Sequence, residues 1–160
     1  MQKITPFLWF DDTAEAAANY YVSVFKNARI GTIARYGKEG AAASGQREGS
    51  VMTVAYELDG QKFAAINGGP HFKINEAVSF VVNCESQEEL DYYWDKLGQG
   101  GDSAAQRCGW LKDKFGVSWQ IVPTVLPELM SGPRAGNVMQ ALMQMTKLDI
   151  AALKRASGQN

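Results

Sequence analysis

The chain has 160 residues, of which 46% are hydrophobic and 21% charged, and its formal net charge is −1. That length and balance fit one soluble globular domain with room for a real core. They exclude a nucleic-acid binder that works through a strong positive field, since Lys and Arg are scattered. No apolar run nears the ~20 residues that span a bilayer, so no membrane partner is expected.

The first residues, Met1-Gln-Lys-Ile-Thr-Pro6, lack the apolar core of a signal peptide. The only cysteines are Cys84 and Cys108, and a chain of this size needs no disulfide staple. The expectation is a reduced, cytoplasmic protein with both thiols free. A single histidine, His71, excludes any site that needs two.

In chain order, residues 4–10 read as a strand from their β-branched and aromatic content. Asp11 and Asp12 open a helix, with Glu15 placed as in a capping pair, and Ala17, Tyr21, Val24 and Phe25 form its buried stripe. Residues 29–36 read as a strand and 37–49 as a small, polar connection. Residues 51–58 and 61–67 flank Asp59-Gly60, a dipeptide that favours a type I′ hairpin turn. Gly68-Gly69-Pro70 breaks the chain.

The same order then returns. Residues 77–83 form a strand, and Ser86-Gln-Glu-Glu89 fits the capping-box pattern. A helix follows, carrying Leu90, Tyr93, Trp94 and Leu97. After a glycine-rich loop, residues 109–114 and 117–122 form a hairpin around Phe115-Gly116, closed by Pro123. Each half is strand, helix, then two or three strands, a repeat of order rather than of sequence. Beyond Pro123 the pattern turns helical: a short helix near 125–130, one capped by Asn137 with Met139, Leu142, Met143 and Met145 packing, and one capped by Asp149 and reaching Ala156. This tail can cover the chain's own sheet or a partner subunit's.

Several stretches carry a family resemblance: Ile4-Thr-Pro-Phe-Leu-Trp-Phe-Asp11, Asn19-Tyr-Tyr21, Leu58-Asp-Gly-Gln61, Asn67-Gly-Gly-Pro-His-Phe-Lys73, Glu89-Leu-Asp-Tyr-Tyr-Trp94, Cys108-Gly-Trp-Leu-Lys-Asp-Lys-Phe-Gly-Val-Ser-Trp-Gln120 and, in the tail, Lys147-Leu-Asp-Ile-Ala-Ala-Leu153. The chain resembles the vicinal oxygen chelate superfamily (glyoxalase I, extradiol dioxygenases and antibiotic-resistance proteins), and within it the PhnB-like branch labelled "3-demethylubiquinone-9 3-methyltransferase". The resemblance implies an α+β fold of two βαβββ modules with curved mixed sheets, spanning about 3–69 and 76–123 of one domain, with the helical tail at 124–157. It also implies pairing of modules within a chain or across a homodimer.

In metal-dependent members of that superfamily, His, Glu or Gln on the first and last strand of each module hold a divalent ion. Carried over, those places fall on Pro6, somewhere in 65–67, Ser79 and Gln120, and only Gln120 offers a credible ligand. The expectation is therefore a small-molecule-binding protein of the glyoxalase or bleomycin-resistance type with no cofactor and no standard metal site. Its ligand-binding candidates are Phe7, Trp9, Asn67, Trp110 and Gln120. Trp119, next to Gln120 on a strand, must face the other way. The alternative is a metal-dependent lyase, isomerase or dioxygenase-like enzyme with an atypical site at Gln120, with His71 or Glu76. A third possibility is a module whose tryptophans fill its own cavity. Cys108, beside Arg107, reads as a buried, inert thiol. Methyl transfer lacks support: Gly98-Gln-Gly-Gly101 follows a helix, whereas a nucleotide-binding glycine turn follows a strand.

Overall fold

In the computed structural model, which describes residues 1–159, the first strand is shorter than its composition predicts. β1 is Phe7–Phe10. Pro6 has no N–H to give a ladder, although its carbonyl still accepts from Ala64 N at 2.9 Å. Ahead of it the side chain of Gln2 stands in for a strand. Its amide oxygen accepts from Lys62 N (3.0 Å) and its nitrogen donates to Lys62 O (3.0 Å).

Helix α1, Ala14–Val24, starts beyond Asp11 and Asp12, and the residue at its cap position, Thr13, makes no side-chain cap. The cap comes from elsewhere in the fold: Asn67 Oδ1 accepts from Ala14 N at 2.8 Å. Ala14, Ala17, Ala18, Tyr21 and Val24 are buried as a stripe. Strand β2, Arg29–Arg35, leads into a segment expected to be irregular that instead forms α2, Lys38–Ser44. Its alanines favour helix, and Gly45 ends it at φ 72° with its N–H on Ala41 O. β3, Val51–Leu58, and β4, Gln61–Asn67, form the expected hairpin. Asp59 and Gly60 both take positive φ, 48° and 79°, as a type I′ turn requires. The sheet order is β1-β4-β3-β2, with β1 parallel to β4, and α1 packs on β3 and β4.

These elements make up one compact unit, Met1–Ile74; a second begins at Asn75. There β5 is Ser79–Cys84 and α3 is Gln87–Gly98. Ser86 Oγ accepts from Glu89 N at 3.1 Å. The Glu89 carboxylate reaches back one residue beyond the capping-box partner, to Glu85 N at 2.8 Å. Leu90, Tyr93, Trp94 and Leu97 are the buried face of α3, as their spacing predicts. The hairpin is β6, Trp110–Lys112, and β7, Ser118–Pro123, in a sheet ordered β5-β7-β6 with β5 parallel to β7.

The fold is thus α+β with two mixed sheets, but the halves differ. The first unit carries three strands after α1 and the second only two after α3. In place of the missing strand stand a 3-10 turn, Ser103–Ala105, and a single bridge between Arg107 and Trp110. β6 is also cut short at both ends. Cys108 and Gly109 hold positive φ before it, and Asp113 begins a turn after it.

The tail forms α4, Leu126–Ser131, α5, Ala135–Met143, and α6, Ile150–Ser157. Asp149 caps α6 through Ala152 N at 2.9 Å. Asn137 caps nothing, because α5 begins two residues before it. The tail is bonded into its own unit: Cys108 N and Gly109 N donate to Met145 O and Thr146 O, each at 2.9 Å. A Cβ at position 109 would sit 3.1 Å from the Leu148 side chain. Leu129, Val138, Leu148 and Leu153 are buried, whereas Met139 and Met143, expected to pack, are 42% and 56% exposed. One turn apart on α5, they share an exposed face. No described helix is long and apolar enough to cross a membrane.

Candidate functional site

The pleat of β7 sorts its side chains. Trp119, Ile121 and Pro123 are buried on the face where α3 packs, so Ser118, Gln120 and Val122 belong to the open face. Register extends this face across the sheet, because residues directly opposite on paired strands point the same way. Ser79, Ser118 and Lys112 form one cross-strand row, and Val81, Gln120 and Trp110 the next. The diagonal is bonded too: Gln120 Nε2 donates to Ser79 Oγ at 2.9 Å.

Asp113, 3% exposed, organises the turn that aims this face. One oxygen accepts from Phe115 N (2.8 Å) and Val117 N (3.1 Å). The other accepts from the Trp119 indole N–H at 2.9 Å. A buried carboxylate with several N–H donors is well satisfied, and it locks Trp119 into the core.

A cavity of about 430 Å³ opens beside the first row, within the size range of small-molecule pockets. Trp110, Lys112 and Ser118 line it from the sheet, with Glu76, Arg107 and Cys108 around them. Lys112 Nζ lies 3.4 Å from Glu76 Oε2. A backbone hydrogen bond, and then Lys112, hold the Glu76 carboxyl below the usual carboxylate range. Cys108 is half-exposed, not buried as expected, because its positive φ turns the chain ahead of β6. Cys84 is the buried thiol, and burial pushes its pKa up to about 12.

The candidates in the first unit have other surroundings. Trp9 donates its indole N–H to Gly69 O at 2.9 Å and meets Phe72 edge-on with ring centres 4.9 Å apart. A Cβ on Gly68 would lie 2.1 Å from the same indole. The Gly68-Gly69 pair is thus a seat for Trp9: the first glycine leaves room for the ring, and the second, at φ 86°, supplies the acceptor. Phe7 pairs with Ala64 and Trp9 with Ile66 on the open face of the first sheet, where Phe7 is 59% exposed. Asn67 lies on the opposite, helix-covered face and is 8% exposed. Its amide caps α1 and donates to Val51 O. His71 is exposed beyond the glycines.

Of the five ligand-binding candidates, Trp110 lines the large cavity and Gln120 stands beside it in register. Phe7, Trp9 and Asn67 belong to the first unit. Lys112, Ser118 and Arg107 were not singled out from the sequence. The only signal available was the alternation of Ser118 with Trp119 and Gln120.

Comparison with known proteins places this architecture. Residues 2–122 match the family model described as 3-demethylubiquinone-9 3-methyltransferase. The chain belongs to this family. A PhnB protein from Bacillus cereus with the same label is 38% identical over 77% of this chain and 100% of its own, at a TM-score of 0.65. Protein PA1353 from Pseudomonas aeruginosa shares the fold at 18% identity, covering 77% of this chain and 98% of its own, with a TM-score of 0.58. No curated protein matches. This PhnB-like membership is consistent with the glyoxalase-like vicinal oxygen chelate superfamily. The family match stops before α4, so the helical tail lies outside it.

The methyltransferase wording is a family name. The glycine stretch follows helix α3, and a Cβ on Gly101 would stand 2.1 Å from Lys112 O. Gly101 is there for close backbone approach, which accounts for it without a nucleotide.

Proposed function

We propose that this PhnB-like protein binds a small organic molecule on the open face of its second sheet, without a resident metal. The observation that carries this is the cavity beside Trp110, Lys112 and Ser118. An aromatic wall with a few polar groups is the usual make-up of a ligand site.

The donor set does not fit the superfamily's divalent ion. Pro6 has no donor side chain, Ile66 is the open-face residue opposite Trp9, and Ser79 is bonded to Gln120. The described residues contain no group of three or more His, Cys, Asp or Glu side chains able to hold a metal. The proposal extends to a cytoplasmic homodimer, in keeping with how superfamily modules pair.

The test is native mass spectrometry and thermal shift on protein purified with and without a chelator, followed by a fragment screen. Fragments are expected to raise Tm equally in both preparations, with the effect lost in Trp110→Ala. A stoichiometric divalent ion whose release lowers Tm, and whose binding fails in Gln120→Ala, would favour the metal-dependent enzyme instead.

A further inference from the structure

We infer that the cavity of the second unit takes an organic carboxylate, with Ser118, Lys112 and Arg107 as polar partners and Trp110 as the apolar wall. This rests on the binding role proposed above and names its ligand class.

Ser118 is the starting point. The residue is 2% exposed and lines the cavity. Its hydroxyl has no hydrogen-bond partner among the described residues. With no protein partner and the cavity beside it, the hydroxyl is free to donate to a bound group.

Charge decides the kind of group. Lys112 is directly opposite Ser118 in register, so its stem and the hydroxyl rise from the same face. Its ion pair to Glu76 is long at 3.4 Å, and the Glu76 side chain is 72% exposed. Such surface pairs are weak and readily exchanged. Arg107 lines the same cavity and has no acidic partner among the described residues. Two cations against one loosely held carboxylate favour an anion. A fork-shaped guanidinium and a hydroxyl donor suit the two oxygens of a carboxylate. Trp110 and Leu111 in the lining call for an organic body rather than a bare inorganic ion.

The experiment is an NMR titration of the full chain, following the Trp110 indole and Ser118 amide signals. The ligands are 2-naphthoate, its neutral amide, its aminomethyl analogue and inorganic phosphate. The carboxylate is expected to saturate these shifts and to bind roughly tenfold tighter than the amide, as charge-assisted hydrogen bonds imply. Lys112→Gln should erase most of that preference, weakening the carboxylate far more than the amide. Ser118→Ala should weaken the carboxylate. Equal binding of carboxylate and amide, or preference for the amine or for phosphate, overturns the carboxylate inference. If none of the four moves these signals the carboxylate inference also falls, and a neutral fragment library that leaves them unmoved as well removes the binding role itself.

Discussion

Asn67 shows how one side chain can serve structure where a ligand contact was expected. Its amide accepts from Ala14 N at 2.8 Å and donates to Val51 O at 3.2 Å, while its carbonyl accepts from the Tyr36 hydroxyl at 2.6 Å. Replacing it with alanine removes a helix cap and leaves buried partners unsatisfied, at a combined cost of about 2–3 kcal/mol. The urea midpoint should fall accordingly, and Asn67→Asp, which keeps the acceptor, should lose less. An alanine variant as stable as the wild type would contradict the capping role.

The two cysteines make a second residue-scale contrast. Cys84 is fully buried, with its pKa pushed to about 12 by desolvation and then by Glu89, whereas Cys108 is half-exposed. Since the thiolate is the reactive form, a thiol reagent at neutral pH should label Cys108 and reach Cys84 only after unfolding. The sign with pH follows from linkage. Above the ordinary value of 9.0 the unfolded chain gives up a proton that the folded chain keeps, so stability falls with rising pH. Cys84→Ala should flatten that alkaline loss, read as Tm between about pH 9 and 11.

At the scale of elements, Gln87 fastens the tail to α3. Its amide nitrogen donates to Asp91 Oδ1 (2.9 Å) and Leu148 O (3.1 Å), and its oxygen accepts from Ile150 N (2.9 Å). Lys147 adds an ion pair to Asp91 at 2.9 Å. The Gln87 bond, and then Lys147, keep the Asp91 carboxyl below its usual range. The latch is therefore complete near neutrality and weakens only as pH falls through the carboxylate range. Gln87→Ala should speed hydrogen exchange across α6 by roughly tenfold while leaving β3 and β4 unaffected; unchanged exchange in α6 would show that its apolar contacts suffice.

What could be read in advance follows the range of each interaction. The face of α3 and the Asp59-Gly60 turn are local patterns, legible from spacing and turn chemistry. Helix α2 was hidden because its alanines sit between glycines that also suit a loop. The cap on α1 is supplied by Asn67, far along the chain, and no local signal encodes it. The site is a similar case. Trp110 and Gln120 were legible as aromatic and former ligand positions, but the roles of Ser118 and Lys112 depend on strand register. Asp113 read as part of a strand until three donors converged on it.

For the whole molecule, each sheet closes by laying its first strand parallel to its last: Phe7 against Ala64 and Ser79 against Ser118. That choice sets an order of assembly. The β3–β4 hairpin can form alone, as soon as its turn is made, whereas β1 and the cap of α1 both wait for β4. During synthesis at roughly 5–20 residues per second, β1 spends several seconds without its partner. The expected folding transition state therefore contains β3 and β4 while β1 is still loose. Leu8→Ala should speed unfolding with little change in refolding rate, and Val54→Ala should slow refolding; the reverse pattern in stopped-flow kinetics would show β1 docking early. Within its sheet, β1 is made before β3 and β4 and held after them.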